Sequence, residues 1–296
     1  MDGWLNIDKP LNISSAGVVG AIKKIVGKGI KIGHCGTLDP LADGVLPIAL
    51  GQATKLSDYV MGSNKTYVFT IQFGRQTTTG DAEGQIMQTT DVVPEKLEHL
   101  QEVTKYFTGT ITQEVPKYSA VKISGVPSYK LARQGVEVPI KIRDINILSL
   151  TLLSADLDKH TATYEVLCSK GTYVRSLAQD IALSLKSLGF VVRLTRTSMK
   201  NFSSVDSLAL SSLSCDPGLA LEQIKNALLP LEHGLIGMPF LDVAAEQALD
   251  IKHGKKVLIN NEDLDLVWLR HNGRLLTIGN LFNKEYNIIR NFNLEN

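Results

Sequence analysis

A chain of 296 residues, 44% of them hydrophobic and 21% charged, can bury a sizeable core and has room for one large domain plus a small one. Its net charge of +1 gives by itself no sign of a nucleic-acid partner, and no stretch approaches the roughly 18 consecutive apolar residues of a membrane span. Three widely separated cysteines (Cys35, Cys168, Cys215), with no Cys-x-x-Cys pair, argue against a zinc site and a disulfide framework; together with the lack of an apolar signal run they fit a reduced, cytoplasmic setting.

Read in chain order, Ser14 or Ser15 can cap a helix in which Val18, Val19, Ile22, Ile25 and Val26 recur at helical spacing, leaving Lys23 and Lys24 on the wet side. The stretch from Gly33 to Pro47 is too rich in glycine and proline for a helix and has no period-2 alternation, so it is predicted to be an irregular loop. Tyr67, Phe69, Ile71 and Phe73 alternate with Val68, Thr70 and Gln72, which predicts a strand opened by Tyr67. Strands are also predicted over about 142–153 and 162–168. Gly171 breaks the second pattern, and Val174, Leu177, Ala178, Ile181 and Leu185 mark the buried stripe of a following helix. Tyr173 and Arg175 then sit where a strand hands over to a helix, and a guanidinium so near an apolar stripe needs an anion. Residues 208–231 read as a helical seam. Beyond about Pro230, glycines punctuate short apolar runs such as 264–269 and 275–278, the pattern of a small β-rich unit. The expected division is 1–230 and 231–296.

Basic residues are unevenly spread. Lys9–Leu38 holds five lysines and no acid, Ile181–Val205 holds Lys186, Arg193, Arg196 and Lys200 with no acid, and Lys252, Lys255 and Lys256 form a third cluster. Any one of these reads most simply as a solvated face; three in a near-neutral chain point to a phosphate-tracking surface.

The Gly33–Pro47 stretch carries the chemistry. It holds His34 and two carboxylates, Asp39 and Asp43. Pro40 has no amide hydrogen and pushes Asp39 toward an extended backbone, while Gly36 and Gly44 permit sharp turns. An isolated Asp-Pro is usually only a turn, but a loop this constrained can also hold one carboxylate in the fixed pose a nucleophile needs.

The whole string Gly33-His34, Gly36-Thr37-Leu38-Asp39-Pro40 and Gly44-Val45-Leu46-Pro47 closely resembles the catalytic loop of the TruB family of tRNA pseudouridine synthases. Further motifs resemble that family in order: Gly3–Pro10 with Ser14-Ser15; Leu50–Leu56, which contains Lys55; Lys65-Thr66-Tyr67; Val115–Lys122 with Gly125, Tyr129, Ala132-Arg133 and Gly135; Lys170–Leu177; and Leu194 with Arg196. Cys35, Asp43, Val115 and Thr195 depart from the usual pattern. The resemblance implies an α+β fold with a mixed, mainly antiparallel central sheet flanked by helices, followed by a small β-rich domain resembling a PUA domain that binds RNA. It implies isomerisation of uridine 55 in the tRNA T-loop, a monomer contacting T-loop and stem, and no metal or coenzyme. It assigns Asp39 as nucleophile, Arg175 and Tyr67 as its catalytic partners, and His34, Tyr67, Tyr173, Leu194, Lys9, Lys55 and Lys170 as substrate contacts.

The residue types suit that chemistry. Converting uridine to its C-glycoside requires cutting the base–ribose bond, rotating the base and rejoining it at carbon 5, with no redox step and no phosphate donor. A carboxylate can attack either the sugar or the base. Burial alone would raise the pKa of Asp39, and an adjacent Arg175 would oppose that rise. Tyr67 would stack on the base, His34 would fill the space the extruded base leaves, and Tyr67 or Tyr173 would assist removal of the carbon-5 proton. Two other readings compete. A tRNA-binding helper without turnover would share every binding feature, though it has no need of Asp39, Tyr67 and Arg175 together. A phosphate-binding enzyme built on Gly27-Lys28-Gly29 lacks the Gly-x-x-x-x-Gly-Lys-Ser/Thr spacing.

Overall fold

Alternation of apolar and polar residues builds the centre of the molecule. The computed structural model describes residues 1–119, 121–123, 125–136 and 138–292. Ala120 and the side chains of Lys122, Tyr129 and Arg133, which carry part of the insertion motif, lie outside the described residues. The first half comprises β1 (Gly3–Lys9), α1 (Ser15–Val26), β2 (Ile32–His34), β3 (Ala42–Leu50), α2 (Ser57–Met61), β4 (Lys65–Phe73), β5 (Arg75–Thr77), β6 (Ile86–Thr89), α3 (Leu97–Tyr106), β7 (Gly109–Glu114), β8 (Lys122–Ile123), β9 (Val126–Pro127) and α4 (Ser128–Arg133). The second half adds β10 (Ile142–Asp156), β11 (Thr161–Cys168), α5 (Val174–Ser184), β12 (Gly189–Met199), β13 (Phe202–Ser203), β14 (Leu208–Ala209), α6 (Pro217–Asn226), β15 (Phe240–Asp242), α7 (Ala245–Lys252), β16 (Val257–Leu258), β17 (Leu264–His271), β18 (Arg274–Phe282) and β19 (Glu285–Asn291).

Ten strands form the main sheet in the order β14-β1-β3-β12-β4-β11-β10-β7, with β2 on β3 and β13 on β12. The β1–β14 and β3–β12 pairs are parallel and the other pairs antiparallel, as expected for a mixed, mainly antiparallel sheet. Leu5, Ile7, Leu46, Ile48, Phe69, Ile71, Tyr164 and Val166 point to one face, where they meet Val18, Ile22, Leu100, Val103, Leu177, Ile181 and Ile224 of the covering helices. Because successive side chains alternate, Trp4, Val45 and Ala49 emerge on the other face. There they pack against Leu231, Leu235, Trp268, Leu275, Ile278 and Phe292. These belong to the C-terminal segment, whose five-stranded sheet runs β15-β17-β18-β19-β16. The indole of Trp4 donates to the Leu231 carbonyl at 3.0 Å. Gly234 sits against that ring so closely that a Cβ there would come within 2.5 Å of it, so no larger residue fits the seam.

The structure corrects four expectations. Only residues 35–41 of the predicted loop are irregular; β3 starts at Ala42 and runs through Pro47. It lacks alternation because both of its faces are buried, Leu46 and Ile48 beneath the helices and Val45 and Ala49 against the C-terminal segment. Gly44 (φ +97°) lets β12 approach: a Cβ there would lie 2.3 Å from the Arg196 carbonyl. β4 opens at Lys65 rather than Tyr67, with strict alternation along its length. Residues 208–231 are not one helix: β14 and a short turn precede α6, which starts at the Asp216 cap and Pro217. Of the basic clusters, Lys23, Lys24, Lys28 and Lys31 are exposed as expected. Arg196 instead is buried and Lys200 donates to the Gly234 carbonyl at the seam, so the second cluster does not form one outer stripe.

Candidate active site

The seven irregular residues around Asp39 are anchored from several directions. Ser15, at the start of α1, accepts from the Leu38 amide at 2.8 Å and donates to the Leu38 carbonyl at 3.0 Å. The Asn12 amide donates to the Pro40 carbonyl at 2.8 Å, and the Ala42 amide to the Asp39 carbonyl at 3.1 Å. From below, Arg196 donates to the carbonyls of Gly36 (3.0 Å) and Val45 (2.7 Å). Lys9 is fully buried, and its ammonium is tied to the carbonyls of Pro10 and Ile13 and, at 3.4 Å, Pro40; burial lowers its pKa to about 8. Its position is that of a brace under the loop, away from the cleft. Lys55 is also elsewhere, bonded to Gln52 and to the Asn291 carbonyl of the C-terminal segment.

Arg175 comes from the first turn of α5, and its approach is fixed by β7. The Gln113 carboxamide, 1% exposed, accepts from the Tyr173 amide at 2.8 Å and donates to the Tyr173 carbonyl at 3.1 Å. Ser176 donates to the Glu114 carbonyl at 3.0 Å. So held, the Arg175 guanidinium reaches Asp39 at 2.9 Å and Asp81 at 3.2 Å, and donates to the Thr79 and Tyr118 carbonyls, each at 2.9 Å. The ion pair expected between two motifs far apart in sequence is therefore present. Arg175 is 5% exposed, whereas 37% of the Asp39 side chain remains open to the cleft. The pKa of Asp39 is nonetheless raised: burial pushes it up most, Arg175 opposes, and Asp81 adds a further push upward.

Two lobes meet at this pair. One, of about 340 Å³, is walled by Tyr67, Leu194, Tyr173, Val174, Lys65 and Arg196, with the exposed Lys170 at its edge. The other, of about 510 Å³, is lined by His34, Ser14, Pro40, Thr79, Asp81 and Glu83. Tyr67 is buried on β4; burial raises its hydroxyl pKa, opposed by the Arg196 guanidinium that hydrogen-bonds it. Burial, and next Arg196, lower the pKa of His34, and its buried Nδ1 has no hydrogen-bond partner among the described residues. That favours a neutral imidazole, suited to filling space and less to carrying charge. Arg143 lies 5.6 Å from the centre of the Tyr173 ring. Lys65 donates to the Met61 carbonyl at 2.9 Å and to that of Ser63, and burial lowers its pKa to about 8. The structure thus brings Asp39, Arg175, Tyr67, His34, Tyr173, Leu194 and Lys170 to one cleft, and leaves Lys9 and Lys55 outside it.

Sequence reading gave no role to Asp81 or Gln113, and placed Arg196 only in a family motif with Leu194 and in a basic cluster. Asp81 follows Gly80 in a turn and looks like any hairpin residue. Its carboxylate is buried, accepting from Thr79 and from the Glu83 amide at 3.1 Å. The further signal for Arg196 was its position two residues after Leu194, hence on the same strand face. Among the described residues no group of three or more His, Cys, Asp or Glu side chains is arranged to hold a metal ion, and no helix is long and apolar enough to cross a membrane.

Comparison with known proteins places this geometry. The family model described as TruB family pseudouridylate synthase, N terminal domain, matches residues 23–174. A tRNA pseudouridine synthase B of Rickettsia bellii is 47% identical over 292 residues, covering 98% of both chains. One of Rickettsia felis is 38% identical over 338 residues, again covering 98% of both. Among solved structures, a chain from a Cbf5-Nop10-Gar1 complex matches with a TM-score of 0.72 at 26% identity, covering 99% of this chain and 84% of that one. A chain from an H/ACA RNP bound to a substrate RNA containing 2'-deoxyuridine matches with a TM-score of 0.71 at 23% identity, covering 97% and 82%, and speaks to the fold alone.

Proposed function

Because the chain belongs to the TruB family of pseudouridylate synthases and is a tRNA-modifying isomerase, we propose that it converts uridine 55 of the tRNA T-loop to pseudouridine, with Asp39 as nucleophile. The observation that carries the reading is the 2.9 Å contact between Asp39 and a buried Arg175 at the meeting point of two lobes, one walled by Tyr67 and Leu194. A uracil swung out of the T-loop enters that lobe and lies against Tyr67. His34, in the other lobe, fills the gap left in the loop. Asp39 attacks at the sugar or at the base, the base–ribose bond breaks, the base turns, carbon 5 bonds to the ribose, and the bond to Asp39 breaks to return the free carboxylate. The carbon-5 proton is then lost, assisted by Tyr67 or Tyr173, and the ring nitrogen freed from the ribose takes up a proton. Atoms and electrons balance within the nucleotide, so the proposal uses no metal or coenzyme. Arg175 holds the carboxylate in place and opposes the rise in its pKa that burial causes. Residues 231–296 form an RNA-binding, PUA-like unit behind the catalytic domain of residues 1–230, and one chain acts on one tRNA as a monomer.

The test is tritium release from a tRNA transcript labelled at carbon 5 of uridine, followed by mapping of the product. One equivalent of label is expected from position 55. Asp39→Asn is expected to lose turnover by on the order of 10³-fold or more while tRNA still binds. Normal rates in that variant, or release from another position, overturn the assignment.

A further inference from the structure

The proposed chemistry leaves one group at the junction of the two lobes without work. Ser119 lines both lobes, beside Asp39 and Arg175. It is 4% exposed, and its hydroxyl has no hydrogen-bond partner among the described residues. Buried polar groups are nearly always paired, and leaving one unpaired is costly. The neighbouring groups are already committed: Arg175 to two carboxylates and two carbonyls, Ser15 to both sides of the Leu38 peptide. A buried hydroxyl at the junction of the two lobes, with no partner among the described residues, is placed to meet a substrate group that enters there.

We propose that the Ser119 hydroxyl binds the 2′-hydroxyl of the target nucleotide and so helps the enzyme select RNA over DNA. The inference rests on the base-flipping reading above. If the base occupies the lobe of Tyr67 and the polynucleotide backbone passes the lobe of His34, the group spanning the junction is the ribose. The 2′-hydroxyl is the feature of that ribose by which a protein tells RNA from DNA. It donates and accepts, as does serine, so the pair forms whichever partner supplies the hydrogen. In that pose the uracil carbonyls would lie deeper in the base lobe and the phosphates out along the backbone.

The experiment uses two tRNA transcripts identical except at the target position, one with uridine and one with 2′-deoxyuridine, each labelled at carbon 5. Single-turnover rates are measured for the natural enzyme and for Ser119→Ala. The variant is expected to slow on the ribonucleotide by about five- to tenfold, the worth of one hydrogen bond, and to keep its rate on the deoxynucleotide. The preference for RNA then shrinks by the same factor. Equal slowing on both substrates, or an unchanged preference, overturns the proposal. Because the substitution removes an unpaired buried hydroxyl, Ser119→Ala is expected to melt at the same temperature or higher; a clear drop would assign the hydroxyl to the fold and overturn the proposal. Ser119→Cys, slightly larger and a weaker donor, is expected to fall between Ala and the natural enzyme in RNA preference; a preference equal to that of the natural enzyme overturns the proposal. If the natural enzyme releases no label from the uridine transcript, it is the base-flipping reading that fails.

Discussion

The cleft and the C-terminal sheet each hold an arginine against an aspartate at nearly the same distance, yet the pKa values of the two aspartates move in opposite directions. In the cleft Arg175 meets Asp39 at 2.9 Å and the carboxyl pKa is raised. On the C-terminal sheet Arg270 grips Asp242 with two bonds, 2.8 and 3.0 Å, and the carboxyl pKa is lowered. In both places the arginine lowers the aspartate pKa; the surroundings differ. Asp242 is 61% exposed, so its bond to Arg270 is the main influence on it. Around Asp39 burial outweighs the arginine, and a second carboxylate, Asp81, competes for the same guanidinium. An ion pair at a surface tunes little, whereas one at the floor of a cleft sets how readily a carboxylate keeps its charge.

The sharpest way to break this comparison is to remove the buried arginine. Arg175→Ala takes away the largest influence opposing burial, so the Asp39 pKa climbs further. Activity that needs ionised Asp39 is lost as pH falls through that pKa, so the acid limb of the rate profile moves to higher pH. The rate at neutral pH is expected to fall on the order of 10²- to 10³-fold, with tRNA affinity far less affected. Single-turnover rates across pH, beside equilibrium tRNA binding, check both parts; an unchanged rate would show that the contact is not part of the chemistry.

The legible parts of this molecule were those with a local signal. β4, β10, β11 and α5 follow from periodicity because each has one buried face. β3 did not, since burial on both sides removes the alternation that marks a strand and its Gly44 and Pro47 look like loop punctuation. In the cleft, Asp39, Tyr67 and Arg175 were visible through motif resemblance. Asp81 and Gln113 were not: what matters about them is where tertiary contacts bring them, and Asp81 reaches Arg175 across 94 positions of sequence. Lys9 shows the reverse error, because a lysine in a shared motif reads as a phosphate contact until its three carbonyl partners are seen.

A finer probe changes the second carboxylate alone. Asp81→Asn removes a neighbouring charge that raises the Asp39 pKa and leaves Arg175 to act on Asp39 undivided. Both effects lower the Asp39 pKa, so the acid limb is expected to move to lower pH, opposite to Arg175→Ala. Because Asp81 is buried, weakening its bonds to Arg175 and Thr79 is expected to cost about 1–3 kcal/mol of stability, read as a drop of several degrees in melting temperature. A limb that moves up, or does not move, would show that Asp81 does not bear on Asp39.

Asp242→Asn makes the same chemical change at the surface and is expected to do the least. The folded-state pKa of Asp242 is depressed below 3.8, so whatever stability the pair contributes is present above that value and is lost as pH falls through the lower, folded-state pKa. Solvent and salt screen it, since both partners reach water. Arg270 also keeps its place without Asp242, lying 3.8 Å over the Phe240 ring. Melting at neutral pH is therefore expected to change by no more than the scatter of the scan, with any difference shrinking as salt is added and vanishing in strong acid. The rate at saturating tRNA is expected to stay at the natural value, because the pair lies outside the cleft. If Asp242→Asn instead lowers the melting temperature as far as Asp81→Asn does, exposure is not what separates the two ion pairs, and packing around Phe240 and Trp268 must be holding the C-terminal sheet through Asp242.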